Sequence, residues 1–204
     1  MEKLILFDFD GVIVDSLELY EKSINCCLKE LGIPPLKGRQ DFLSIFDENF
    51  YEGIRRKGID VDAFMRISWT IAPSLPYEQV KPAAGILPVI EELARRHRLV
   101  IVSSNSTPVI RRMLSLHGLG EHFLDVLGLE FTLGKIEKIR HAMVRYETGP
   151  DCTYYVGDTA GDIREAKEAG VRTVAVTWGW HTREKLTLSD PDLIIDSPAE
   201  LLQL

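Results

Sequence analysis

The stretch Met1-Glu-Lys-Leu-Ile-Leu-Phe-Asp8-Phe-Asp10-Gly11-Val-Ile-Val-Asp15 decides how the rest of the chain is read. An apolar run over residues 4–7 leads straight into two acids spaced two apart, with a glycine behind them. A run of that length, bounded by a glycine turn, reads as a buried strand. In open α/β sheets the carboxyl ends of the strands are where ligands bind. Side chains at i and i+2 of a strand share a face, so Asp8 and Asp10 are expected to face one site unless the turn at Gly11 re-aims the second. Adjacent carboxylates raise each other's pKa unless a cation or strong donors lie between them. The pair therefore points to a metal or to acid–base chemistry.

The bulk composition bounds the chain to one large domain or a domain with an insertion. The chain has 204 residues, 45% of them hydrophobic, enough for a substantial core. Its net charge of −7 argues against general nucleic-acid binding, although local groups can still hold an anionic substrate. Cys26, Cys27 and Cys152 form no CxxC pattern, which fits reduced thiols in the cytoplasm, with Cys26 and Cys27 as small core residues. No signal peptide and no run approaching the ~20 apolar residues of a membrane span are read.

Working outward, helical periodicity covers 17–31, 42–57 and 61–71, with no confident strand among them. Pro73, Pro76 and Pro82 mark a return linker. Alternating units follow, with helices over 86–96, 109–117, 136–146 and 162–169. Strands fall between them over 99–102, 124–127, 152–156, 173–176 and 193–195. This order predicts an α/β fold, a doubly wound parallel sheet with an inserted all-helical cap over the strand ends. The expected division is a core of residues 1–15 and 82–204 and a cap of 16–81.

Chemistry-bearing residues recur where these strands end. The strand over 99–102 runs into Ser103-Ser104-Asn105-Ser106-Thr107. Hydroxyls there can hold an anion beside a helix N-terminus, or Ser106 or Thr107 can simply cap the helix. Tyr154-Tyr-Val156 runs into Gly157-Asp158-Thr-Ala-Gly-Asp162, where Asp162 taken alone reads as a helix cap. Asp158 joining Asp8 and Asp10 on one sheet edge would need a hard divalent cation such as Mg²⁺. Lys135 opens a helix, where its charge opposes the dipole unless an anion is near. Lys138, one turn on, reads as a solvated surface residue.

Taken in order, Asp8-Phe-Asp-Gly-Val-Ile-Val-Asp15, Val102-Ser103, Gly134-Lys135 and Gly157-Asp158-Thr-Ala-Gly-Asp162 resemble the haloacid dehalogenase-like hydrolase superfamily, across essentially the whole chain. The segments 173–181 and 191–202 look like its phosphoglycolate phosphatase-type members. The resemblance implies Asp8 as nucleophile towards phosphorus and Asp10 as general acid and base. It implies Mg²⁺ held by the Asp8 carboxylate, the Asp10 carbonyl and Asp158, with Asp162 behind them. Lys135 and the Ser103 hydroxyl would bind phosphate, Ser103 being preferred to Ser104 because it directly ends the strand. Backbone N–H groups around Gly11 and Ser104 would complete the cradle, with Asp15 and Ser16 governing the exit into the cap.

The expected substrate is a small phosphorylated metabolite, phosphoglycolate being the best single guess. Alternatives are a phosphosugar mutase, a dehalogenase, or a regulatory, partner-binding member. Asp10 and Asp158 favour phosphoryl transfer over dehalogenation. Lys37, Arg39, Arg55 and Arg56 read as a solvated cap face, any one of which could instead meet a second substrate anion. Trp178-Gly179-Trp180-His181 is expected mainly to pack, and His181 is given no catalytic role. Oligomeric state is not legible.

Overall fold

The computed structural model describes residues 2–204, so Met1 lies outside the described residues. Strand β1 (Leu4–Phe7) has all its side chains buried, with Leu4 and Leu6 on one face and Ile5 and Phe7 on the other. A strand covered on both faces reads as a continuous apolar run, which is why it was visible in the sequence. After it come β2 (Val14–Asp15), helices α1 (Leu17–Glu30), α2 (Arg39–Leu43), α3 (Phe50–Arg56) and α4 (Val61–Ile71), and β3 (Lys81–Pro82). The chain then alternates through α5 (Ile86–Ala94), β4 (Arg98–Val102), α6 (Thr107–Leu116), β5 (Asp125–Leu127), α7 (Lys135–Arg145) and β6 (Thr153–Gly157). It closes with α8 (Ala160–Ala169), β7 (Arg172–Val176), α9 (Arg183–Thr187) and β8 (Leu193–Ile195).

Six strands form one parallel sheet in the order β5-β4-β1-β6-β7-β8. Phe7 pairs with Ile101 on one side and Val156 on the other, so β1, β4 and β6 end side by side. Ile5 and Phe7 pack with α5 and α6 through residues such as Ile86, Ile90, Ile110 and Met113. Leu4 and Leu6 pack with Val100, Tyr155, Ile139 and Ala166 on the α7–α8 face. Burying one such aliphatic or aromatic side chain stabilises the fold by roughly 1.5–3 kcal/mol. The sheet is therefore a rigid platform for whatever its strand ends carry.

The inserted helices α1–α4 have a separate apolar cluster, including Ile24, Leu28, Phe42, Ile45, Tyr51 and Phe64, and Trp180 joins it from the α/β part. The chain enters and leaves the insertion through β2 and β3, an antiparallel pair in which Val14 faces Pro82 and Asp15 faces Lys81. Among the described residues, no helix is long and apolar enough to cross a membrane.

Two expectations need correction. The single helix over 42–57 is instead α2, a 3₁₀ turn over Ser44–Asp47, and α3. Glu48 is extended, and Asn49 starts a new helix by accepting the Tyr51 N–H at 3.0 Å. A Cβ on Gly53 would lie 2.0 Å from the Ile45 carbonyl oxygen, so the fold-back requires glycine there. Cys26 is exposed while Cys27 is buried, because adjacent positions on α1 do not share a face.

Candidate active site

The Asp8 N–H donates to the Val156 carbonyl at 2.9 Å, extending the parallel ladder one residue past β1. That fixes the Asp8 carboxylate at the centre of the sheet edge. Its Oδ2 lies 3.0 Å from Lys135 Nζ, which lies 2.5 Å from Asp162 Oδ1. Asp162 is also tied down from its own helix, where its Oδ2 accepts from the Thr159 hydroxyl at 2.7 Å and the Thr159 N–H at 3.1 Å. Thr159 is thus the N-cap of α8, with Asp162 at the third position of a capping box. Asp162 is not itself the cap.

Asp158 ends β6 fully buried, and its Oδ2 accepts the Trp180 N–H at 2.7 Å. Carboxylate oxygens of Asp8, Asp158 and Asp162 lie within 4.8 Å of one another. Asp8 Oδ1 and Asp158 Oδ1 are buried without a hydrogen-bond partner. Buried, unpartnered carboxylate oxygens on neighbouring strand ends are the donor set a hard cation takes. Asp162, with both oxygens engaged, suits a supporting place behind it. The packing leaves no slack. A Cβ on Gly11 would fall 2.1 Å from Asp158 Oδ2, and one on Gly179 would fall 2.2 Å from Asp158 Cβ.

The charges respond to this crowding. Burial pushes Asp8 up to about 7 against the pull of Lys135, with Asp162 and Asp10 adding repulsion. Burial, reinforced by Asp162 and Asp8, drives Asp158 well above the usual carboxylate range. Asp162 feels the same burial, but Lys135 overrides it and holds the group below that range. For Lys135, burial is outweighed by Asp162 and Asp8, so its ammonium is secured. Asp10 is lifted by burial to about 6 although Ser16 and Asn105 favour its ionised form.

Asp10 follows the turn, with Oδ1 accepting from the Ser16 hydroxyl at 2.7 Å and Oδ2 from Asn105 Nδ2 at 2.9 Å. Ser16 therefore touches Asp10 directly, which the expectation of an exit residue missed. Ser103 is buried and its Oγ accepts the Asn105 N–H at 3.1 Å. Ser103 and Ser104 both line the central cavity, and the Ser104 carbonyl accepts from the Tyr51 hydroxyl at 3.0 Å. The Gly11 N–H, expected in the phosphate cradle, instead donates to the Val14 carbonyl at 2.8 Å. Gly11, at φ 81°, serves the tight turn and the close approach of Asp158.

Lys138 is not a surface residue. It is fully buried, and its Nζ donates to the Ser103 carbonyl at 2.6 Å, fixing the loop from below. Burial and the neighbouring Lys135 pull it down to about 7. The signal was present, since positions three apart on a helix share a face. Tyr155, which donates to Asp162 Oδ1 at 3.2 Å, was missed because its position inside a strand reads as core. Glu165, whose Oε1 accepts the Lys135 N–H at 2.7 Å, was missed because it lies in a helix far along the chain.

Trp180 packs edge-on to Phe46, with ring centroids 4.8 Å apart, and Trp178 Nε1 donates to the Val12 carbonyl at 3.2 Å. His181 Nδ1 accepts the Ala160 N–H at 3.0 Å, so Nε2 carries the proton and donates to the Leu43 carbonyl at 3.1 Å. The imidazole thus joins the α/β part to the insertion, and burial pulls its pKa down. Arg39 pairs with Glu21, Arg55 with Glu52 and Arg56 with Glu48. None of these arginines, nor Lys37, lines the cavity of about 130 Å³ between the insertion and the strand ends.

Residues 5–176 match the family model described as haloacid dehalogenase-like hydrolase. A phosphoglycolate phosphatase of Synechococcus elongatus is 31% identical over 204 residues, covering 98% of this chain and 95% of the relative. A haloacid dehalogenase-like hydrolase from Streptococcus pneumoniae superposes with a TM-score of 0.84 at 22% identity, over 99% of this chain and 97% of that one. CbbY from Rhodobacter sphaeroides, solved in complex with phosphate, gives a TM-score of 0.78 at 22% identity, over 98% and 96%. With its strand-end carboxylates, its inserted helices and these relatives, the chain belongs to the haloacid dehalogenase-like hydrolase family.

Proposed function

We propose that this protein is a Mg²⁺-dependent phosphatase acting on small phosphate monoesters through an aspartyl-phosphate on Asp8. The observation that carries the reading is the Asp8 carboxylate itself. One oxygen lies 3.0 Å from Lys135 Nζ and the other is buried and orphaned, as is one oxygen of Asp158, whose carboxylate comes within 4.8 Å of that of Asp8. Asp8 and Asp158, with the Asp10 carbonyl, would hold the cation. When bound, it supplies positive charge that offsets carboxylate repulsion and neutralises phosphoryl charge.

The chain's own residues divide the work. An Asp8 oxygen attacks phosphorus and the ester P–O bond breaks, the departing oxygen taking its proton from Asp10. Water then attacks the phosphorus, gives its proton to Asp10, and the P–O bond to Asp8 breaks. A carboxyl lifted to about 6 is well placed to give and regain a proton near neutrality. Lys135 and the Ser103 hydroxyl bind phosphoryl oxygens, and Asp162 with Thr159 keeps Lys135 aimed. Residues 16–81 form the unit that opens about β2 and β3 to admit substrate and closes to exclude water. Phosphoglycolate is the substrate named for relatives; for this chain the reading extends to small phosphate monoesters, and the cytoplasm is the expected compartment.

Phosphate release from p-nitrophenyl phosphate tests the reading. It should require Mg²⁺, stop with EDTA, and fall by at least about 1,000-fold in Asp8→Asn. Activity surviving Asp8→Asn would remove Asp8 as nucleophile.

A further inference from the structure

The cavity's two ends differ in chemistry. Its floor carries Asp8, Asp10, Ser103, Lys135 and Asp162, the residues already given roles in phosphoryl transfer or in aiming Lys135. Its other wall, built by the insertion and the segment after it, carries Phe46, Phe50, Phe64, Met65, Trp69 and Leu75. Glu48 apart, the polar lining there is uncharged hydroxyl, such as Ser23, Ser68 and Tyr20. The aromatic rings support one another, Phe46 stacking on Phe50 at 5.5 Å and Phe50 meeting Phe64 edge-on at 6.0 Å. Such a wall is preorganised, so a ligand group entering it orders little.

Charge is distributed just as unevenly. Among the described residues lining the cavity, Lys135 is the only lysine or arginine, and it already faces Asp8 and Asp162. On the insertion side the one charged lining residue is Glu48, an acid paired outward with Arg56 and Arg164. Arg39 and Arg55 face the acids of their own surface. A substrate carboxylate or second phosphate placed against this wall would lose water without meeting a cation, which strongly disfavours binding. At the rim Trp69 remains 61% exposed, an apolar surface with nothing from this chain covering it.

Resting on the phosphatase reading above, we propose that the preferred substrate is the phosphate monoester of a neutral, apolar alcohol, aromatic or short-chain alkyl. The wall selects against esters that bear a second anionic group, phosphoglycolate included. The apolar group lies along Phe46, Phe50 and Phe64 and reaches Trp69, while the phosphoryl end meets the charged floor.

Benzyl phosphate and phosphoglycolate make the direct comparison, because both release an aliphatic alcohol oxygen. With Mg²⁺ present, kcat/KM for benzyl phosphate should exceed that for phosphoglycolate by roughly 100-fold or more, as an unpaired buried charge implies. Trp69→Ala, at an exposed position that tolerates truncation, should raise KM for benzyl phosphate by about tenfold and leave phosphoglycolate nearly unchanged. Equal or better turnover of phosphoglycolate would overturn the substrate class while leaving the phosphatase reading intact. So would a Trp69→Ala effect of the same size on both esters. Failure to release phosphate from either ester in an Asp8-dependent way would overturn the phosphatase reading, and the substrate class with it.

Discussion

Asp10 sits between opposed influences. Burial lifts its carboxyl, and two donors, Ser16 and Asn105, hold the ionised form against that lift. Removing one donor must move the group further from its ordinary value. In Asn105→Ala the Asp10 pKa rises above about 6. The acidic limb of kcat, where Asp10 must be ionised to accept water's proton, should move to higher pH by roughly one pH unit. A pH–rate profile on p-nitrophenyl phosphate measures this, and an unmoved limb would take Asp10 out of the proton transfer. At this scale the sequence was informative about the acids, because strand-end carboxylates are costly without a function. Their supports were harder to see. Asn105 looked like a loop residue and Lys138 like solvent-facing charge, since side-chain direction in a loop or on a helix is set by what packs above it.

Helix α7 begins at Gly134, which offers no side chain to cap it. The missing acceptor comes from α8, where Glu165 Oε1 takes the Lys135 N–H at 2.7 Å. The same carboxylate accepts from Asn49 Nδ2 at 3.1 Å, and Asn49 in turn caps α3. One side chain thus joins two helices of the α/β part to the start of a helix in the insertion. Glu165→Ala should lower unfolding free energy by about 1–3 kcal/mol, because buried donors lose their partner. Urea denaturation would show it, and a loss below about 0.5 kcal/mol would contradict the assignment. Element boundaries were legible where local chemistry marks them. Strand β8 and helix α4 fall where apolar patterning and flanking residues place them. The break between α2 and α3 was hidden, because Phe42, Phe46 and Phe50 keep a helical i, i+4 spacing across it. The 3₁₀ turn over Ser44–Asp47, the extended backbone at Glu48 and the Asn49 cap separate the two helices.

For the whole molecule, the parallel sheet sets where chemistry can occur. Asp8, Ser103 and Asp158 come from the ends of β1, β4 and β6, three adjacent strands, and converge because the register aligns those ends. That convergence follows from topology and so could be anticipated from the order of strands and motifs. The wall opposite could not, because which side of an amphipathic helix meets the cavity depends on how the insertion seats on the sheet. Contacts across that seam are close, with Glu48 backbone against Gly161, His181 against the Leu43 carbonyl and Tyr51 against the Ser104 carbonyl. Seating of this kind places the inserted helices over the strand ends that carry Asp8 and Ser103. The decisive measurement is rapid acid quench of the protein turning over with Mg²⁺, followed by peptide mass spectrometry. A phosphoryl group is expected on the peptide carrying Asp8, absent in Asp8→Asn. A phosphoryl group on another residue, or an unmodified enzyme at every time point while phosphate is released, would contradict Asp8 as the nucleophile.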